Sequence, residues 1–280
     1  MKRRFSLVLA ALSIGWSLVT AEPTQAHDKW LEVEPFQSAA PSPAKVYLLT
    51  GEALQQAELL PLRRAASVRR FQLVSSAGSR DLRSQLREDQ QPIAITQPDG
   101  LRPGTSVLAL DTAPVDILLT AEKFQRYLFE ERLIDILALR ATRGQEEAPG
   151  RERYSRSLKA LVQVGERLDD VALRPVGQDL EIVPLLHPYS LPPGRPLEVR
   201  VLFRGKPLAG RAVTFANRYR SNVTTRIVRT GADGRVSAPL ERAGDWLVAL
   251  VHMEPSTEPE ADWRSYWSSL TFALPSGPGR

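Results

Sequence analysis

The chain contains no cysteine, only three histidines and only two methionines, one of them the initiator. The first absence excludes disulfides, thiolate metal sites and a cysteine nucleophile together. An exported form must then be stable by burying core alone, and 280 residues are enough to do so in two domains. Catalytic signatures are missing as well: there is no Gly-x-Ser-x-Gly, P-loop, dinucleotide fingerprint or His-Glu-x-x-His. The expectation is a protein that is not an enzyme. A formal net charge of +5 is too small to point to nucleic acid.

No apolar run is comfortable as a membrane span. The run from Phe5 to Val19 is diluted by serines and preceded by Lys2, Arg3 and Arg4, the pattern of a secretory signal. Two cleavage sites satisfy the small-residue rule, after Ala21 and after Ala26, and both stay open. Removing the leader shrinks the positive surplus further. The mature protein is expected in the periplasm or outside the cell, without a membrane span and without nucleic acid as a partner.

What the chain does have is alternation. Lys29 to Pro35, Lys45 to Thr50, Val68 to Ser75, Pro92 to Thr96, Ser106 to Asp111 and Val115 to Thr120 are short apolar or alternating runs. Gly and Pro punctuate them, which argues for a β-sandwich. Apolar residues from Phe124 to Leu139 then recur at helical spacing, and Tyr154 to Val164 reads as a second amphipathic piece, helix turning to strand. From Gln178 about seven further strands are expected, with Gly231-Ala232-Asp233-Gly234 as a hairpin turn. The predicted fold is mainly β. Two sandwich domains, 27–120 and 178–274, the latter immunoglobulin- or transthyretin-like, are joined by a helical insert at 121–177. The signal occupies 1–26 and a disordered tail 275–280.

The segments Ala26-His27-Asp28-Lys29-Trp30, Lys123 to Leu133, Arg151 to Val162, Leu180 to Leu191, Gly205 to Val213, Trp246 to Met253 and Asp262 to Phe272 occur in one order. In that order they resemble an exported bacterial family, the domain-of-unknown-function family 4198, whose mature chains begin AHDFW. The resemblance implies an exported, β-rich protein with a transthyretin-like C-terminal part, and for some members a link to nickel or cobalt uptake. Lys29 stands where many relatives have Phe, and Arg132 where many have Gly.

Cleavage after Ala26 would make His27 the first residue. Its α-amine and imidazole Nδ1 close one chelate ring, and His252, at the end of an apolar strand, would add a third nitrogen. That donor set suits Cu(II) and, less tightly, Ni(II) or Co(II). Asp28, His187, Glu254, Asp262 or Tyr266 are candidates for a further ligand. Against this, His252 shares a strand face with Trp246, Val248 and Leu250 and also reads as a core histidine, and His187 as a turn residue. The functional expectation is a periplasmic protein that binds copper, nickel or cobalt for delivery or uptake alongside a metal-uptake or envelope partner. The alternative is a non-catalytic interaction module that binds a protein or glycan through Trp263, Tyr266 and Trp267. Arg140, Arg143, Arg151, Arg153 and Arg156 are expected to be neutralised by nearby glutamates. The oligomeric state is open.

Overall fold

A computed structural model describes residues 28–96, 101–192 and 194–275. The expected signal segment, His27 and all of the tail after Pro275 lie outside the described residues. The first strands are β1 (Asp28–Glu34), β2 (Gln37–Ser38), β3 (Ala44–Glu52), β4 (Gln55–Leu59) and β5 (Val68–Ser75). There follow β6 (Gly78–Asp81), β7 (Ala94–Thr96), β8 (Gly104–Thr112) and β9 (Val115–Leu119). Two helices, α1 (Ala121–Glu130) and α2 (Ile134–Thr142), precede β10 (Gly150–Val164). The second half holds β11 (Leu180–Pro184), β12 (Pro196–Phe203), β13 (Lys206–Pro207) and β14 (Ala212–Tyr219). It ends with β15 (Asn222–Arg229), β16 (Arg235–Pro239), β17 (Gly244–Pro255) and β18 (Trp263–Leu274).

The protein is mainly β, as the alternation predicts, but its sheets do not divide at the expected boundaries. One large sheet runs in the order β15-β14-β17-β18-β10-β8-β5-β6, so it draws strands from both halves of the chain. β10 lies at its centre, parallel to β18 and antiparallel to β8. This is the segment expected to belong to a helical insert. Tyr154, Leu158, Leu161 and Val162 mimic helical spacing, while the polar Ser155, Ser157, Lys159 and Gln163 are buried on the face that Leu161 shares. A strand buried on both faces loses the simple alternation by which strands are recognised.

Two small sheets cover opposite faces of the large one. β1, β3, β4 and β7 pack their Leu31, Val33, Val46 and Leu48 against Phe71, Leu108, Leu158 and Ala160. β11, β12, β13 and β16 pack Ile182, Val199 and Val201 against Phe215, Trp246, Val248 and Leu270. Leu158 and Leu161 of β10 thus belong to different cores, one on each face. The turn at Gly231 to Gly234 forms as expected, with Gly234 at φ +74°. It joins β15 and β16 across two different sheets rather than as a hairpin.

The helical period from Glu122 to Arg140 is realised as two helices. Thr120 caps α1, its Oγ1 accepting from Lys123 N. The break falls at Arg132, whose φ is +57°, left-handed backbone that favours glycine. α1 and α2 bury Phe124, Tyr127, Leu128 and Ile136 against Val251, Met253, Trp263 and Trp267.

A buried polar network ties β10 to the second small sheet. Lys159 Nζ lies 3.0 Å from Glu181 Oε1, with both side chains almost fully buried. Glu181 also accepts from the backbone N–H groups of Val176, Gly177 and Gln178 at 2.6, 3.0 and 3.1 Å. Gln178 Nε2 donates to Asp111 Oδ1 at 2.8 Å, and Asp111 pairs with Arg70. Arg70 returns to the carbonyls of Val176 and Gly177 at 3.0 Å each. Removing one partner of a buried pair strands the other charge, at a cost of about 3–5 kcal/mol. Glu181→Ala should lose a stability of that size in urea unfolding. Lys159→Met combined with Glu181→Leu should recover only part of it, because three N–H groups remain without an acceptor. A Glu181→Ala variant within about 1 kcal/mol of the parent, less than a buried pair is worth, would contradict this assignment.

Candidate functional site

The residue that follows His27 opens β1. Asp28 Oδ2 accepts from Ala53 N at 3.0 Å, where the β3–β4 turn folds back. Behind it is a cavity of about 230 Å³ whose wall includes Asp28, Glu52, Glu130 and Glu131 together with Arg132. Ala212 and Thr214 of β14 and Ala249 and Val251 of β17 form its floor. Four carboxylates and one guanidinium therefore surround one space. Burial, then the charge of Asp28, holds the Glu131 carboxyl well above the usual carboxylate range, while Arg156 and Arg132 oppose the shift. Part of the wall is backbone in an uncommon conformation: Ala53 and Arg132 both have positive φ. Left-handed non-glycine residues cost energy and persist where the surroundings over-determine them.

His252 lies elsewhere. Alternation along β17 puts it on the face of Trp246, Val248 and Leu250, away from the face of Ala249 and Val251 that meets Asp28. Its ring stacks on Tyr266 with centroids 6.3 Å apart and meets Phe203 edge-on at 4.5 Å. Burial pushes its pKa down to about 4, with Arg211 and Arg204 adding to the fall and Asp135 opposing it. The imidazole is thus neutral at pH 7, and its Nδ1 has no hydrogen-bond partner. A neutral ring is the form a metal requires, but the charges around it are mainly cationic. Of the named ligand candidates, Tyr266 is brought against His252 and Glu254, and the others lie apart.

His187 stands at a turn, as expected, where its Nε2 is 2.9 Å from Thr105 Oγ1. Tyr266 accepts from Arg204 at 2.6 Å and reaches Glu254 at 3.4 Å. Asp262 is held by Arg151 at 2.7 Å. Among the described residues no three His, Asp or Glu side chains converge closely enough to hold an ion by themselves.

Two further expectations need correction. Trp263, Tyr266 and Trp267 are 1%, 4% and 5% exposed, so they form core rather than a binding surface. They sit on β18 between the central strands β10 and β17, where both faces are covered. The arginines find partners other than the neighbouring glutamates. Arg151 pairs with Asp262, Arg153 with Asp116 and Glu258, and Arg140 donates to the carbonyls of Gln145 and Ala148. Glu152 instead accepts from Tyr127 and Ser265.

The residues that sequence reasoning missed are Glu52, Glu130 and Glu131 as neighbours of Asp28. The available signal was the Arg132 position: a break just after Glu130-Glu131 turns those carboxylates back toward the sheet. Lys29, in place of an aromatic, is partly buried and its ammonium is pushed down to about 7 by burial and then by Arg156.

A family model described as "Domain of unknown function (DUF4198)" matches residues 24–254. No curated protein matches the chain.

The depressed pKa of His252 has a measurable consequence. The unfolded chain takes up this proton below about pH 6.5, the folded one only near pH 4. Stability is therefore lost as pH falls through that window, by an amount on the order of 3 kcal/mol. Thermal unfolding of His252→Gln between pH 7 and 4 should show a shallower loss than the parent. Parallel curves would rule out a titrating, buried His252.

Proposed function

The chain belongs to the domain-of-unknown-function family DUF4198, and from that footing we propose that it is an exported metal-binding protein. In this reading it holds one Ni(II), Co(II) or Cu(II) ion at the start of its mature chain, as cargo for delivery or uptake with an envelope partner. The observation that carries the reading is the carboxylate-walled cavity beside Asp28, one residue after the chelating position His27.

The donor chemistry fits. Cleavage after Ala26 leaves an amine and an imidazole on one residue, and the carboxylates of Asp28 and Glu131 lie together where that residue joins β1. Glu131 retains its proton unusually well because it is buried and, next, because Asp28 is close. A dication would replace that proton and relieve the repulsion between the two groups. Because no three described side chains suffice alone, the chelate of His27 is essential to the proposal. His252 faces the other side of β17 and is left out of this donor set.

Titration calorimetry on mature protein that starts at His27 tests the reading. Ni(II), Co(II) or Cu(II) should bind one-to-one with release of protons. One extra residue before His27 should weaken binding at least tenfold, as should Glu131→Gln, while His252→Gln should leave it unchanged. Equal affinity with and without the extra residue would refute the proposal.

A further inference from the structure

A second cavity of about 230 Å³ lies between β1 and the β5–β8–β10 part of the large sheet, on the same face as the carboxylate cavity. Its walls are apolar, formed by Leu48, Leu60, Leu62, Val68, Leu110 and Leu158. Its charged lining is of one sign: Lys29, Arg63 and Arg156, with no aspartate or glutamate. Arg63 is at the exposed rim and reaches Asp89 at 3.4 Å. The other two lie deeper.

Arg156 is the unusual group. It is only 8% exposed, and its Nε and Nη1 have no hydrogen-bond partner. Its guanidinium is stacked over Trp267 at 4.5 Å and beside Tyr154 at 5.4 Å, which fixes the plane and leaves the edges to donate. The nearest acid of its own strand, Glu152, is engaged by Tyr127 and Ser265. Buried guanidinium donors left unmatched are costly, and a carboxylate is the acceptor whose geometry and charge suit them.

We propose that this cavity binds a small amphipathic carboxylate, an aliphatic acid whose head is held by Arg156 and Lys29 and whose tail lies along the leucine walls. The shape and the charge act together. Apolar walls reject a polar anion such as acetate, and a lining whose charged groups are Lys29, Arg63 and Arg156 rejects a cationic tail of the same length. Its lining shares no residue with the carboxylate cavity, although Arg156 also feels the charges of Asp28 and Glu131.

Octanoate is the probe. Titration of the mature protein, followed by calorimetry and by the fluorescence of Trp267 beneath Arg156, should show one saturable octanoate per chain. Acetate, 1-octanol and octylamine should each bind at least tenfold more weakly. Lys29→Met, which keeps most of the length of the side chain and removes its charge, should also weaken octanoate at least tenfold while leaving the circular dichroism spectrum unchanged. The proposal is overturned by an absence of saturable octanoate binding, by 1-octanol binding as tightly as octanoate, or by undiminished binding in folded Lys29→Met.

Discussion

Lys159 and Glu181 place opposite charges 3.0 Å apart with both side chains almost wholly out of water. A pair in that position is tolerable only when the remaining lone pairs and protons are also matched. Here the match is made by three successive backbone N–H groups on the carboxylate and by the Gln178, Asp111 and Arg70 relay beyond them. The segment from Val176 to Gln178 is thereby fastened to β5, β8 and β10, and β11 must start where it does. The second small sheet is placed on the large one by polar bonding as well as by its apolar face. With β10 serving both cores, the two halves of the chain are one structure.

The buried ionisable groups fall into two kinds. Lys159, Glu181, Asp111 and Glu152 each have partners that account for their charge or protons, and their work is structural. Arg156 keeps unmatched donors, Glu131 is raised by a neighbouring acid, and Lys29 is pushed toward neutrality. These three lie on one face of the large sheet, where β1, the α1–α2 turn and β10 approach one another. Buried groups that the fold leaves unmatched mark where binding chemistry concentrates. The opposite face holds the neutral His252, its Nδ1 unpartnered, in an aromatic and closely packed setting without a buried acid or cation left unpaired beside it among the described residues. That asymmetry moves the centre of interest from His252 to the start of β1.

Much of this was legible from residue order. Val68 to Ser75 is a strand over the span its alternation marks, and β1, β3, β8 and β9 differ from their apolar runs by a residue or two. His252 is on the strand face that period two assigns to it. The centre of the fold was not legible, for a physical reason. β10 buries Lys159, Gln163 and Arg156, residues ordinarily exposed, and their acceptability depends on Glu181 and on aromatic rings distant in sequence. No local pattern records such a partner. The same holds for Glu130 and Glu131, which look like a solvated helix end until the left-handed Arg132 turns them toward Asp28. Trp263 and Trp267 show the converse: a dense aromatic run looks like a surface for stacking when its two neighbouring strands are unknown.

The claim on which the rest stands is that β10 makes both halves a single cooperative unit. Differential scanning calorimetry of the protein measures this directly. The account predicts one transition whose calorimetric and van't Hoff enthalpies agree. Two separable transitions, with hydrogen exchange assigning one to residues 28–120 and the other to 178–274, would contradict it.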